Sequence, residues 1–192
     1  MDPEQLRAAI ASAQAGEAEG YQALLDGYGS RLFGYFIRAT GNGQDAEDML
    51  SELMLKLVRR LGSYDHRGRF EPWLFRIAAN MVRDRIRRRK ARPIRVSLSF
   101  ESPGGATVAD GLAGQAKPVE AGLLAEELSA ELQAALGRLD VATREMVLLR
   151  YFGEMSFEEL AKMFECPIGT VLARVHRGLR TLRQMMVKRH ED

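Results

Sequence analysis

Cysteine and histidine are scarce in this chain of 192 residues. Cys166 is the only cysteine, which excludes an internal disulfide framework and argues against a cysteine-rich metal site. The three histidines lack the close spacing of metal ligands: His66, His176 and His190. We therefore expect no metal and no other cofactor.

Long apolar runs and catalytic signatures are missing as well. No stretch approaches the length of a membrane span, and the mildly acidic N-terminus, interrupted by Gly16 and Gly20, does not resemble a signal peptide. The sequence contains no GxxxxGK[ST], HExxH or GxSxG motif, and no GxGxxG after a strand. These absences favour a cytoplasmic binding protein over an enzyme.

The net charge of +2 is too small to indicate a nucleic-acid ligand, but the basic residues are clustered. The densest run comprises Arg83, Arg85, Arg87, Arg88, Arg89, Lys90, Arg92 and Arg95. With 46% hydrophobic residues, a packed core is feasible. The positions of the basic residues are therefore a better guide to function than the net charge.

Residues 156–183 have the pattern of two helices joined by a tight turn. Ser156 and Glu159 form a capping-box motif, and Cys166 before Pro167 interrupts the helix. Projected at about 100° per residue, one side of the second helix is apolar, and the other carries Thr170, Ala173, His176, Arg177 and Arg180, flanked by Leu172, Arg174 and Arg183. This pattern predicts a DNA-binding helix-turn-helix; a helical hairpin with a solvated basic face is the alternative.

The first half of the chain also has helical periodicity. We expect a short Ala-rich helix within residues 1–19, then a helix from Tyr21 that Gly27 and Gly29 could interrupt. Residues 40–43 are expected to end this helix, and Asp45 is a plausible N-cap for the next one. Its expected apolar face is Met49, Leu50, Leu53, Leu57, Val58 and Leu61. The acidic residues of its early turns suit the helix dipole, and composition alone favours a surface role.

A basic aromatic loop and a largely apolar helix follow. The loop, residues 63–70, could hold single-stranded bases, although an ordinary basic connection fits its composition equally well. The helix, residues 71–90, has one narrow polar stripe: Arg76, Asn80, Arg83 and Arg87. A cationic stripe on a mostly buried helix favours contact with a nucleic-acid backbone. Trp73 lies on the apolar side and is expected in the core.

Composition divides the chain into two units. Residues 93–122 are rich in serine, glycine and proline without helical periodicity, which predicts a flexible linker. Residues 123–192 have the pattern of four helices, one of them capped by Asp140. No strand pattern or repeat is evident. We expect an all-α fold of two small helical domains, residues 1–92 and 123–192.

Three motifs in this order carry a family resemblance: QDAEDMLSELMLKLVRRL, RFEPWLFRIAANMVRDRIRRR and SFEELAKMFECPIGTVLARVHRGLR. The chain resembles an extracytoplasmic-function (ECF) sigma factor of bacterial RNA polymerase over almost its whole length apart from the linker. The resemblance implies a sigma-two-like first domain and a sigma-four-like helix-turn-helix domain, joined by a linker that threads the polymerase cleft. It also implies a cytoplasmic protein that binds core polymerase, directs it to promoters and helps to melt the minus-ten element.

The resemblance also assigns residues to partners. The clamp of the largest polymerase subunit would contact Asp45, Asp48, Glu52 and Lys56. The minus-ten element and the opened strand would contact Tyr64, His66, Arg67, Arg69, Arg76, Asn80, Arg83 and Arg87. The minus-thirty-five element would contact Thr170, Arg174, His176, Arg177 and Arg180. The second domain would lean on the flap of the second-largest subunit, and an anti-sigma factor is a common further partner.

The chain departs from the family pattern at three positions. Leu172 and Ala173 stand where polar or basic residues are frequent, so readout there is limited to apolar contact, for instance with a thymine methyl group. Ser51 replaces the usual amide side chain at its position.

Two other functions remain open as alternatives to a sigma factor. One is a stand-alone helix-turn-helix regulator, which would bind its promoter tightly without polymerase. The other is an α-helical adaptor whose basic stripes are merely solvated.

Overall fold

The computed structural model describes residues 1–65, 69–91 and 119–188. Within these ranges the chain forms helices and no strands, which confirms the all-α prediction. The helices are α1 (Pro3–Gln14), α2 (Ala18–Thr40), α3 (Gly43–Arg60), α4 (Phe70–Ala91), α5 (Val119–Gly137), α6 (Val141–Phe152), α7 (Phe157–Met163) and α8 (Ile168–Lys188), with a 3-10 turn at Leu61–Ser63. None of the helices in the described ranges combines the length and apolarity that crossing a membrane requires.

Helices α1 to α4 form the N-terminal unit, in which α2 packs against the other three. The interruption considered for α2 does not occur, because the helix runs unbroken through Gly27 and Gly29. Each glycine costs a helix about 1 kcal/mol, and the neighbours that bury Leu24, Leu32 and Phe36 on α2 outweigh that cost. The helix ends at Gly41, whose φ of 72° is the left-handed conformation that glycine adopts without strain.

The start of α3 differs from the sequence prediction. The N-cap is Asn42, whose side chain accepts a hydrogen bond of 2.9 Å from the backbone N–H of Asp45. Asp45 is therefore in the first turn, where its carboxylate is buried and paired with Arg85 and Arg89 of α4. Val58, which the periodicity places in the core, is 54% exposed, because it lies at the edge of the stripe that contacts α2.

The predicted linker coincides mostly with residues outside the described ranges. Its last four positions, 119–122, belong to the first turn of α5 instead. Alanine and glutamate within those positions favour helix, and Pro118 precedes them, as proline often does at a helix start. The helical part of the C-terminal unit thus begins earlier than the sequence pattern indicates.

Helices α5 to α8 form the C-terminal unit, with the four helices that the sequence predicts. Asp140 caps α6 by accepting a 3.0 Å hydrogen bond from the Thr143 backbone, and Ser156 and Glu159 complete the capping box of α7. The core residues of α8 are Val171, Val175 and Leu182. Because these three occupy one side of α8, the opposite side is left facing outward.

The two units pack against each other through α2 and α6. Arg31 of α2 donates two hydrogen bonds to the Phe152 carbonyl oxygen, at 3.0 Å from Nε and 2.6 Å from Nη2. Farther along α2, Arg38 donates to the backbone and side chain of Ser129 in α5, at 2.8 and 3.0 Å. The C-terminal unit therefore lies along the side of α2.

Candidate nucleic-acid interface

Helix α8 presents an outward basic face at its N-terminal half. Thr170, Ala173, His176, Arg177 and Arg180 are all exposed. Of the two departures from the family pattern on this helix, Leu172 is half-buried and Ala173 is exposed. A helix with this arrangement can enter a major groove with two guanidinium groups directed at phosphates or guanine edges.

Two of the five predicted upstream-contact residues are also used within the C-terminal unit. Arg174 Nη1 lies 3.3 Å from Asp140 Oδ1. The pKa of Asp140 is held below its usual range mainly by the hydrogen bonds from Thr143, and Arg174 adds to the effect. The His176 ring stacks on Phe157 with 6.5 Å between centroids. These contacts orient the two side chains at the edges of the basic face.

The four residues of the polar stripe on α4 have different environments. Arg76 and Asn80 are exposed, and Arg87 is exposed and paired with Asp84 at 3.2 Å. Arg83 instead faces the C-terminal unit, with its Nε 2.8 Å from Glu145 Oε1 and its guanidinium 5.0 Å from the centre of the Phe164 ring. The structure therefore leaves three of the four stripe residues open to solvent.

The aromatic loop is anchored on an aromatic cluster. The Tyr64 ring lies 4.4 Å from Trp73 and 5.5 Å from Phe70, and burial raises the pKa of Tyr64. Trp73 is half-buried and packs against the core, as expected from its side of α4. Two predicted DNA-contact residues of this loop, His66 and Arg67, lie outside the described residues.

Arg69, at the end of the loop, contacts the C-terminal unit. Its Nη1 donates to the Glu154 carbonyl oxygen at 3.2 Å, and its guanidinium lies 3.9 Å from the carboxylate of Glu154 and 4.0 Å from that of Glu159. Arg69 and Arg83, both predicted to bind the opened strand, therefore contact the same neighbouring unit.

Gln14 is a residue that sequence reasoning missed. At the last position of α1, its Nε2 donates to the carbonyl oxygens of Leu61 and Tyr64, at 3.0 and 2.8 Å. These bonds hold the 3-10 turn from which the aromatic loop departs. No local signal could have identified this role, because the partners lie 47 and 50 residues away in the sequence.

The predicted clamp-contact residues lie on α3. Asp48 is exposed, and Glu52 and Lys56 form an ion pair of 2.6 Å on the outer side. Asp45 is the only one of the four that is buried, and its carboxylate is already bound by two arginines. The outer side of α3 also carries Leu55 and Val58, which are 61% and 54% exposed. Two such apolar side chains beside an ion pair suit a protein partner.

Comparison with known proteins agrees with this architecture. Residues 24–92 match the family model described as Sigma-70 region 2, and residues 129–182 match Sigma-70, region 4. The chain is 28% identical to the ECF RNA polymerase sigma factor SigW of Bacillus subtilis, over 92% of this chain and 94% of that protein. It is 30% identical to the RNA polymerase sigma factor CarQ of Myxococcus xanthus, over 89% and 91%.

Solved structures share the fold. CnrH, in a complex with the cytosolic domain of CnrY, aligns with a TM-score of 0.66 and 22% identity, covering 96% of this chain and 98% of CnrH. The sigma factor RpoE of Bartonella quintana, in a complex with the anti-sigma factor NepR, aligns with a TM-score of 0.61 and 19% identity, covering 88% and 98%. Since both sigma-70 regions occur in order and the relatives match along almost their whole length, the chain belongs to the ECF family of RNA polymerase sigma factors.

Proposed function

We propose that the chain binds core RNA polymerase, directs it to promoters through α8 and helps to open the minus-ten element through α4 and the aromatic loop. The observation that carries the proposal is the presence in one chain of both sigma-70 regions. The exposed arginines of α4 and α8 support it. The role is one of binding, without catalysis, in the bacterial cytoplasm. The units concerned are residues 1–92 and the four helices from α5 onward.

The upstream contact in this proposal is the open face of α8. Arg177 and Arg180 are exposed and form no ion pair within the described part of the chain, so both are available to phosphates or guanine. Thr170 and His176 flank them, and Arg174 can exchange Asp140 for a phosphate. Each good contact to a base contributes about 1–3 kcal/mol.

The downstream contact in this proposal is the stripe of α4 together with the loop. Arg76, Asn80 and Arg87 would follow the strand backbone, while the loop, through Tyr64 and Arg69, would hold an extruded base. Extruding a base costs a few kcal/mol, which stacking of about 1–3 kcal/mol per base can offset. His66 and Arg67 remain part of the proposed contact on sequence grounds alone.

The proposed protein partners are the polymerase clamp, the flap and an anti-sigma factor. The outer side of α3, with Asp48, Glu52, Lys56, Leu55 and Val58, is the surface offered to the clamp, and Asp45 would support it from within. The neighbours CnrH and RpoE occur in complexes with CnrY and with the anti-sigma factor NepR, which supports the proposal of a regulator of the same kind here.

Genome-wide run-off transcription tests the function even when the promoter sequence is unknown. Fragmented genomic DNA is transcribed by core polymerase with and without the protein, and the new transcripts are sequenced. We expect a small set of start sites with a common upstream motif, lost in an Arg177→Ala, Arg180→Ala double variant. The matched control is Arg7→Ala, which removes an exposed cation from α1. Promoter binding by the free protein with no effect on core polymerase would instead indicate a stand-alone regulator.

A further inference from the structure

A recess of about 630 Å³ lies between α3 and α4 in the N-terminal unit. Small-molecule sites usually have volumes of about 300–1,000 Å³, so the recess is large enough for a ligand. Residues of both helices line it, among them Met49, Lys56, Met81, Arg85, Arg88 and Arg89. None of the four stripe residues of α4, all of which the structure describes, lines the recess. It is therefore separate from the proposed DNA-contact surface.

One carboxylate holds two of the lining arginines side by side. Arg85 and Arg89 both bind Asp45 through Nη2, and Asp45 is buried. One carboxylate neutralises only one of two guanidinium groups, and Asp48 is more distant, 3.9 Å from Arg85 and 57% exposed. Arg88 is exposed and forms no ion pair or hydrogen bond with any described residue. This part of the recess therefore has an excess of positive charge, which favours an anion.

The three guanidinium groups are suited to phosphate. A guanidinium has five N–H donors in a planar fork that fits the oxygens of a phosphate in pairs. Arg85 and Arg89 each use only Nη2 to bind Asp45, and no described residue accepts a hydrogen bond from their Nη1 atoms. Because Asp45 already fixes both groups, an anion can bind them with little further loss of side-chain freedom.

The rest of the lining suits the organic part of a ligand. Met49 and Met81 are only 1% and 6% exposed and supply apolar surface. The thioether side chain adapts its shape and packs well against aromatic rings. Glu52 and Asp84 also line the recess, and although each is paired with a cation, each can still accept a hydrogen bond from a sugar hydroxyl or an exocyclic amine. A ligand with phosphates, a sugar and a flat ring fits this combination.

The same two carboxylates favour a small ligand over a nucleic-acid strand. A strand carries phosphates at regular intervals, and proteins bind it with rows of cations. Inside the recess, Glu52 and Asp84 interrupt such a row, and their charge repels phosphates. A single nucleotide can place its phosphates on the arginines and keep them away from the carboxylates.

We propose that the recess between α3 and α4 binds a nucleoside phosphate. The three arginines hold the phosphate groups, and the base packs on the two methionines. Nucleotide binding by the free chain does not require the proposed function. Glu52 and Lys56 belong both to the recess and to the surface offered to the clamp, so the bound nucleotide lies beside that contact.

Isothermal titration calorimetry of the full chain tests the site. The probes are ATP, GTP and inorganic tripolyphosphate, which carries the phosphates without a nucleoside. We expect one saturable site for at least one of the two nucleotides, and binding of tripolyphosphate that is about tenfold weaker. That factor corresponds to a base that buries roughly 60 Å² of apolar surface against the methionines.

Arg88→Ala removes a phosphate contact with little risk to the fold, because Arg88 is exposed and unpaired within the described part of the chain. We expect nucleotide binding to weaken about tenfold or more, the factor for the loss of one hydrogen bond to a charged group. The matched control is Arg59→Ala, which removes an exposed cation of α3 outside the recess. Arg88→Lys should restore only part of the affinity, because an ammonium group lacks the fork. Circular dichroism should show the same helix content in all variants.

Four outcomes would overturn the nucleotide site. One is the absence of saturable binding at millimolar nucleotide, and another is equal weakening in Arg88→Ala and Arg59→Ala, which would indicate diffuse attraction. Tripolyphosphate that binds as tightly as the nucleotides would show a site for any polyanion. Displacement of the nucleotide by a DNA duplex whose own binding also weakens in Arg88→Ala would assign the arginines to the DNA backbone. Core-dependent transcription is measured separately, and its absence would overturn the proposed function without affecting nucleotide binding.

Discussion

Replacing Asp45 with asparagine should destabilise the N-terminal unit, because its carboxylate joins the start of α3 to the end of α4. The side chain is only 10% exposed, and its two partners differ, with Arg85 at 32% and Arg89 at 57%. The change preserves the size of the side chain and the Asn42 cap, since that cap uses the backbone of residue 45. The variant therefore removes the charge and replaces one of the two acceptor oxygens with an NH2 donor, so only one arginine keeps its hydrogen bond.

The expected loss in the free energy of unfolding follows from how exposed the two arginine partners are. A hydrogen bond to a charged group contributes about 1.5–3 kcal/mol, which suits Arg85, whereas an exposed pair such as that with Arg89 contributes about 0–1 kcal/mol. Because an asparagine oxygen can still accept one bond, we expect a loss of about 2 kcal/mol. For a unit of this size, that loss lowers Tm by about 8–16 °C.

Urea unfolding monitored by tryptophan fluorescence measures this loss. Trp73 is the only tryptophan and lies in α4, so its signal reports the N-terminal unit. The matched control is Asp48→Asn, in the same helix turn, where the carboxylate is 57% exposed and 3.9 Å from Arg85. Equal losses in the two variants, or a loss below about 0.5 kcal/mol for Asp45→Asn, would refute the reasoning.

Three further predictions concern single side chains. Arg177→Ala should weaken binding of the holoenzyme to its upstream duplex by about 1–3 kcal/mol, measured by titration; unchanged affinity would remove Arg177 from the contact. Gln14→Ala should remove both hydrogen bonds to the 3-10 turn and reduce permanganate reactivity of the opened strand while duplex binding persists; full reactivity would show that the turn needs no such support. Gly178→Ala should destabilise the C-terminal unit by about 1–3 kcal/mol in thermal unfolding, because the new Cβ would lie 2.7 Å from Thr143 Cγ2, whereas Gly169→Ala, with no atom within 4 Å, should not.

The helix boundaries that were predicted correctly all depend on local signals in the sequence. The capping box of Ser156 and Glu159, the cap at Asp140 and the break at Cys166 each depend on residues within four positions of one another. The prediction of Asp45 as a cap fails because Asn42, three positions earlier, is an equally good cap residue. The exposure of Val58 depends on where α2 lies, which periodicity along α3 cannot specify.

The sequence by itself determined the all-α class, the helix-turn-helix and, through three ordered motifs, the ECF sigma family. Only the tertiary structure decided which charged residues are free, since Asp45 binds Arg85 and Arg89 at separations of 40 and 44 residues and Arg83 binds a glutamate of the other unit. The physical reason is the distance along the chain over which each interaction acts. Caps and periodicity act within a few residues, whereas the partner of a buried or shared charge is set by how helices pack.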